Sequence, residues 1–212
     1  MKILLSVLFT TLLYTNSSIA APAYISPLAQ DWQVQAVITV GETAANGYAM
    51  VGVPDGLGAY ANADGRFTLL MNHELSPDKG AVRAHGQKRV FVSRWVIDVE
   101  SLKVQSGADL VHATLPVGVV KPFNRLCSAD LAPSSAFYNA ATSKGYAGQL
   151  FLNGEEDKAG GRAFARAPNG ISYELADFGH IAWENLLANP ASSDNTLVIG
   201  LDDIQNGLLL VY

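Results

Sequence analysis

The sequence predicts an all-β protein, because short apolar segments bounded by turn residues dominate the chain. Glycine is abundant, with 19 residues, and segments with the periodicity of an amphipathic helix are scarce. The apolar segments that we interpret as strands are residues 34–40, 66–71, 90–99, 149–153, 195–201 and 208–212. Turn signals lie at NADG (62–65), SPDKG (76–80), APNG (167–170) and SSDN (192–195). The main exception is the segment 128–145, which we expect to be a loop carrying one or two helical turns.

The first segment, residues 1–20, is predicted to be a secretory signal peptide. One basic residue precedes an apolar run from Ile3 to Tyr14, and a polar tail follows it. Ser18 and Ala20 fit the small-residue rule for cleavage after Ala20. The rival interpretation is a membrane anchor, but the run is shorter than the roughly 20 residues that span a bilayer. We therefore expect export to the periplasm or the medium.

Residues 21–212 are predicted to form one domain that does not span a membrane. The net charge is −5, from 19 acidic and 14 basic residues, and no basic stretch indicates nucleic-acid binding. The single cysteine, Cys127, excludes an internal disulfide. In an oxidising compartment such a thiol is buried, binds a metal or pairs with another chain.

Three predicted strands end in acidic or amide residues. Residues 66–71 run into Asn72-His73-Glu74, 149–153 into Gly154-Glu155-Glu156, and 195–201 into Asp202-Asp203. Asn72 and Asn153 are 81 residues apart, about twice the ~40–45 residues of a β-propeller blade, and Glu156 and Asp203 are 47 apart. Equivalent strand ends of a propeller meet around its central channel, so we expect these acids to converge. The alternative is that they are ordinary solvated turn residues.

Clustered carboxylates with amide oxygens favour calcium, magnesium or ferric iron, and several of them favour more than one cation. Cys127 would add a soft ligand and favour a transition metal, unless it is a small buried apolar residue. Glu184 lies beside Trp183 in an apolar segment, where a carboxylate is rarely unpaired. The candidate metal ligands are Asn72, Glu74, Cys127, Asn153, Glu155, Glu156, Glu184, Asp202 and Asp203.

Arginine is the candidate for binding an anionic substrate group, because guanidinium matches the geometry of phosphate. Arg162, close after the glutamate pair, is the best placed and is our candidate catalytic residue; the alternative is an ordinary surface arginine. Arg66, Arg83, Arg94 and Arg125 are further candidates. His73, His85 and His180 show no zinc-like spacing and are interpreted as structural. The sequence has no GxSxG, P-loop or GxGxxG motif, which argues against serine hydrolases and nucleotide-binding enzymes.

Taken in order, these segments resemble the PhoX-type alkaline phosphatases, a family of exported bacterial enzymes also catalogued as a domain of unknown function, DUF839. The matching stretches cover residues 50–212, and their order is more specific than any one of them. They are DGLGAY (55–60), LLMNHEL (69–75), the lone Cys127 before an F-x-N-G-E-E strand, GHIAWEN (179–185) and TLVIGLDD…LLLVY (196–212).

The resemblance implies a β-propeller whose central site holds Fe³⁺ and Ca²⁺ and hydrolyses small-molecule phosphomonoesters. Cys127 would then be an iron ligand, and Glu184 would share the metal cluster with Glu155 or Glu156. Asn72 and Glu74 would lie near that cluster. The spacing from Cys127 favours Glu156 as the ligand of the glutamate pair.

This chain departs from the family pattern in two ways. SADLAPSSAF follows Cys127 where the family has a stretch rich in glycine and tryptophan. The chain is also much shorter than family members, enough for about four blades, so we expect a truncated propeller that lacks C-terminal blades and exposes sheet edges to self-association. The alternative functions are a non-catalytic, calcium-stabilised propeller module for binding or at the cell surface, and a phytase-like hydrolase of another ester.

Overall fold

The computed structural model describes residues 21–115 and 122–212, and these residues form an all-β structure. The described residues contain fourteen strands in four sheets, three 3-10 turns and no α-helix. The predicted signal peptide, residues 1–20, lies outside them. None of their helical turns has the length and apolarity that crossing a membrane requires. The all-β prediction is confirmed.

Sheet 1 is an antiparallel meander of four consecutive strands. The NADG signal makes the first turn, where Gly65 takes a φ of 74° and Asn62 N–H donates to the Arg66 carbonyl at 2.8 Å. Trp95 and Ile97, in the third strand, are buried. The strands are β1 (Pro54–Ala61), β2 (Arg66–His73), β3 (Phe91–Asp98) and β4 (Val104–Asp109).

Sheet 2 is mixed, since four antiparallel strands are joined by one strand that runs parallel to its neighbour. APNG makes one of its turns, with Gly170 at a φ of 89°. The order across the sheet is β5 (Ala113–Leu115), β11 (Ile171–Glu174), β10 (Ala163–Arg166), β9 (Phe151–Glu155) and β6 (Leu126–Leu131). The 3-10 turns are Ser134–Ala136, Lys158–Gly160 and Ala176–Phe178.

Two small sheets complete the described structure. Sheet 3 is antiparallel and contains β12 (Trp183–Ala188), β13 (Val198–Asp202) and β14 (Leu209–Val211). A two-stranded ribbon, β7 (Tyr138–Asn139) with β8 (Lys144–Gly145), lies within the segment expected to be a loop. That segment also begins within β6 and holds the turn Ser134–Ala136, so the expected helical turn is present but the segment is not a loop throughout.

The strand predicted at residues 34–40 was wrong, because no backbone ladder forms there. Val37 and Ile38 instead pack their side chains against the core of sheet 1, which includes Met50 and Trp95. The apolar character of the segment thus reflects packing and not strand pairing.

Sheet 2 lies between sheets 1 and 3 and contributes to a core on each of its faces. Phe151 packs with Leu70 of sheet 1, whereas the next residue, Leu152, packs with Leu186 of sheet 3. Successive residues of a strand point to opposite faces, which explains why one apolar strand serves two cores. The described strands form no closed ring, and closure into a propeller stays a prediction.

Candidate metal centre

The site is built on one backbone feature that occurs in all three larger sheets. In each, one edge strand carries an extra residue opposite its neighbour, which is a β-bulge. We call the edge strand (β1, β6 or β12) the first strand and its neighbour (β2, β9 or β13) the second strand. Each bulge lies between two register pairs that are three residues apart on the first strand and two apart on the second. These pairs are Pro54–His73 and Leu57–Met71 in sheet 1, Leu126–Glu155 and Ala129–Asn153 in sheet 2, and Trp183–Asp202 and Leu186–Gly200 in sheet 3.

The outer register pair of each sheet is the first one named for it: Pro54–His73, Leu126–Glu155 or Trp183–Asp202. The residues that follow this pair in the chain occupy equivalent positions in the three sheets. On each first strand this residue lies in the bulge, and on each second strand it lies just beyond the outer pair. Together they form what we call the six-residue cluster, Asp55, Glu74, Cys127, Glu156, Glu184 and Asp203.

The six-residue cluster consists of two triads joined by the thiol. Potential ligand atoms of Asp55, Glu74 and Cys127 all lie within 4.8 Å of one another, and the same holds for Glu156, Glu184 and Asp203. The thiol links the triads, because its Sγ lies 2.9 Å from Glu74 Oε1 and 2.6 Å from Glu156 Oε2.

Glycine at two positions allows the sheets to approach at this point. A Cβ on Gly56, in the bulge of β1, would lie 2.5 Å from the Cys127 carbonyl oxygen. A Cβ on Gly154, in β9, would lie 2.1 Å from Cβ of Trp183. Both distances are shorter than any normal contact, so side chains here would separate the strands that carry the ligands.

The six-residue cluster has a strong excess of negative charge. Burial, followed by hydrogen bonding to Glu156 and Glu74, raises the pKa of the Cys127 thiol above its ordinary range. Burial, followed by the charges of Glu156 and Asp203, raises the pKa of Glu184. Both shifts have the direction expected where burial and crowded carboxylates disfavour a further negative charge.

Arg125 is the one positive side chain that forms an ion pair with the cluster in the part of the chain that the structure describes. Its Nη1 lies 2.8 Å from Glu156 Oε1, and its side chain is 59% exposed. Five carboxylates therefore face one arginine, and bound cations would relieve the remaining repulsion.

Asn72 and Asn153, predicted as ligands, hold the backbone of the cluster instead. Asn72 Nδ2 donates to the carbonyl oxygens of Cys127 at 2.9 Å and of Ser128 at 3.2 Å. Asn153 Nδ2 donates to Asn72 Oδ1 at 2.8 Å, and Arg166 donates to Asn153 Oδ1. Because both amide oxygens already accept hydrogen bonds, this arrangement gives the two asparagines a supporting role and corrects the ligand assignment.

Glu155 and Arg162 also have a different role from the predicted one, because they bind each other. Arg162 Nε donates to Glu155 Oε2 at 2.7 Å, and its Nη2 donates to Oε1 at 2.6 Å. The Asn124 N–H donates to the same Oε1 at 2.8 Å. Glu155 is thus paired with Arg162 on the opposite face of the strand from Glu156. The Arg162 guanidinium also lies 3.5 Å from Glu174, so it is not free to bind a substrate anion.

Asp202 lies beside the cluster and outside both triads. Its Oδ1 accepts a hydrogen bond from the Ala182 N–H at 3.2 Å, so it fixes the start of β12. Asp55 belongs to the first triad and was missed as a ligand, although the DGLGAY stretch that begins with it was noted. The signal that could have identified it is its position at the start of a strand paired with the strand that ends near Glu74.

The structure also refines the internal repeat. Glu74 and Glu156 are the equivalent positions, 82 residues apart, so aligning Asn72 with Asn153 displaced the repeat by one residue. The spacing of 47 residues from Glu156 to Asp203 joins positions that are equivalent in the register.

The chain was compared with protein-family models, with curated proteins and with solved structures, and none of the three comparisons found a match.

Proposed function

We propose that this protein is an exported, metal-dependent phosphomonoesterase of the PhoX type, and that the six-residue cluster binds its metal ions. The observation that carries the proposal is the convergence of five carboxylates and a thiol from three equivalent bulges. Surface acids do not need matched backbone distortions, whereas β-bulges commonly redirect side chains at functional sites.

The donor atoms fit the metals that the resemblance implies. Glu156, Glu184 and Asp203 offer oxygen alone, which suits calcium. Asp55, Glu74 and Cys127 combine carboxylates with a thiolate, which suits iron better than calcium. The two triads thus differ in the way expected for two kinds of cation.

The proposal includes an incomplete propeller of about four blades. Sheets 1, 2 and 3 pack face to face in chain order, and the edge strands β1, β6 and β12 each carry one residue of the cluster. Inner strands lie around the central channel of a propeller, so this order is what the proposal requires.

Metal ions, once bound at such a centre, would polarise a phosphoryl group and activate water for attack at neutral pH. The residues of the chain would orient the phosphate ester and neutralise its negative charge. Arg125 would hold a phosphate oxygen, since its exposed guanidinium is anchored at the edge of the cluster through Glu156. In this proposal Arg125 takes the role that was predicted for Arg162.

The second candidate is a calcium-stabilised propeller module without catalytic activity. The all-oxygen triad favours it, because calcium alone would neutralise these carboxylates and tie sheets 2 and 3 together. The two functions differ in metal content and in turnover, so one experiment separates them.

The test uses the exported chain, analysed for bound iron and calcium and assayed with p-nitrophenyl phosphate before and after chelation. We expect both metals, hydrolysis that chelation abolishes, and loss of metal and activity in Glu156→Gln. Glu100→Gln, at an exposed glutamate outside the cluster, is the matched control and should behave as wild type. Calcium at full occupancy without turnover would favour the binding module, and a protein that holds no metal would refute both functions.

A further inference from the structure

We infer that Arg166 is a positioning residue for the metal centre and that it acts through two buried asparagines. A continuous chain of hydrogen bonds, which we call the relay, leads from Arg166 through Asn153 and Asn72 to the carbonyl oxygens of Cys127 and Ser128. Arg166 itself touches no residue of the six-residue cluster in these hydrogen bonds. The inference rests on the proposed metal centre, because it assigns a control on that same site.

The direction of the relay follows from hydrogen-bonding capacity. A guanidinium only donates, so Asn153 must turn Oδ1 towards Arg166 and Nδ2 towards Asn72. Asn72 must then accept with Oδ1 and donate with Nδ2, which fixes its amide against the two carbonyl groups of the bulge. The donor at one end thus sets the orientation of both amides.

The relay is buried along its whole length, so water cannot replace a lost partner. Arg166 and Asn72 are 0% exposed, and Asn153 is 1% exposed. Buried hydrogen bonds of this kind are held rigidly, and an unmet partner among them is costly.

Arg166 is held in place without a carboxylate. Its Cζ lies 4.7 Å from the ring centroids of both Phe123 and Phe164. No acidic side chain of the described residues comes within 4.0 Å of its guanidinium, whereas Arg162 and Arg83 each pair with at least one. A fully buried arginine without a carboxylate is unfavourable for stability alone, which indicates that the relay has another purpose.

The relay also reaches the next bulge. Ser128, whose carbonyl accepts from Asn72, donates its hydroxyl hydrogen to the Glu184 carbonyl. One network therefore orders the bulge that carries Cys127 and contacts the backbone of Glu184. Groups that orient ligands from behind in this way typically change metal affinity about 10–100-fold when they are replaced.

The test is a Co²⁺ titration of the mature protein, followed by the thiolate-to-cobalt charge-transfer band. We expect Arg166→Met to weaken Co²⁺ binding about tenfold. Arg83→Met is the matched control, because Arg83 also stacks on a phenylalanine, Phe91 at 3.7 Å, and lies outside the relay. Its affinity should equal that of wild type.

Asn153→Asp separates positioning from stability. The new carboxylate still accepts from Arg166 and balances its charge, so the fold should hold, but it cannot donate to Asn72. We expect Co²⁺ binding to weaken about tenfold although the added negative charge by itself would strengthen it. This variant decides the question if Arg166→Met does not fold.

Wild-type affinity in Asn153→Asp would overturn the inference. If wild-type protein binds no Co²⁺, the proposed function fails, and the relay is judged by solvent exchange of the Asn72 side-chain amide in ¹⁵N spectra. Protection that is lost in Asn153→Asp supports the relay, and protection that persists overturns it.

Discussion

His85 should make the protein less stable in mild acid, and its surroundings give the size of the effect. The side chain is 5% exposed and packs on Phe123 at 5.0 Å between ring centroids. Neither ring nitrogen has a hydrogen-bond partner among the described residues. Burial, and to a lesser extent the charges of Arg166 and Arg83, lower its pKa from 6.5 to about 4, although Asp109 acts in the opposite direction.

The sign of the pH effect on stability follows from whether the folded or the unfolded state binds the proton more readily. The unfolded chain protonates this histidine below about pH 6.5, whereas the folded protein resists protonation until about pH 4. Stability is therefore complete above pH 6.5 and falls as the pH is lowered to 4. At about 1.4 kcal/mol for each pH unit, the loss is about 3 kcal/mol.

The assay is urea unfolding of the wild type and of His85→Met between pH 8 and pH 4. The free energy of unfolding of the wild type should fall by about 3 kcal/mol more than that of the variant across this range. Between pH 7 and pH 8 the two should differ by a constant amount, which removes the packing effect of the substitution. Equal pH dependence in both proteins would refute a neutral, buried His85.

Two further substitutions test the packing around the centre. Gly154→Ala should destabilise the fold by about 1–3 kcal/mol in urea unfolding, because the new Cβ would overlap Cβ of Trp183. Gly160→Ala, where nothing lies within 4 Å, is the control, and equal midpoints for the two would contradict the close approach. Glu155→Gln should cost about 3–5 kcal/mol, since it leaves the nearly buried Arg162 without its bidentate partner. A cost below about 1 kcal/mol, as for exposed pairs, would show that this pair is solvated.

The candidate ligands that directly follow a strand can be predicted from the sequence. Glu74, Glu156 and Asp203 each follow an apolar strand, so a pattern of strand ends was enough to select them. Asp55 opens its strand, and only the pairing of β1 with β2 brings it to Glu74.

The roles of the remaining candidates depended on register and hydrogen bonding. Glu155 and Glu156 look alike in a sequence, yet they point to opposite faces and only one meets Cys127. Asn72 and Asn153 were selected for their oxygens, whereas their partner Arg166 decides which way each amide faces. A side chain 13 residues from Asn153 gives no local signal of that contact.

Each triad takes its ligands from two sheets, which couples metal binding to the docking of those sheets during folding. Asp55 and Glu74 of sheet 1 meet Cys127 of sheet 2, and Glu156 of sheet 2 meets Glu184 and Asp203 of sheet 3. Neither triad exists until its two sheets have docked. A cation that binds such a triad binds only the docked state, so docking and metal uptake are thermodynamically linked. A hundredfold excess of metal over its dissociation constant would favour docking by about 2.7 kcal/mol.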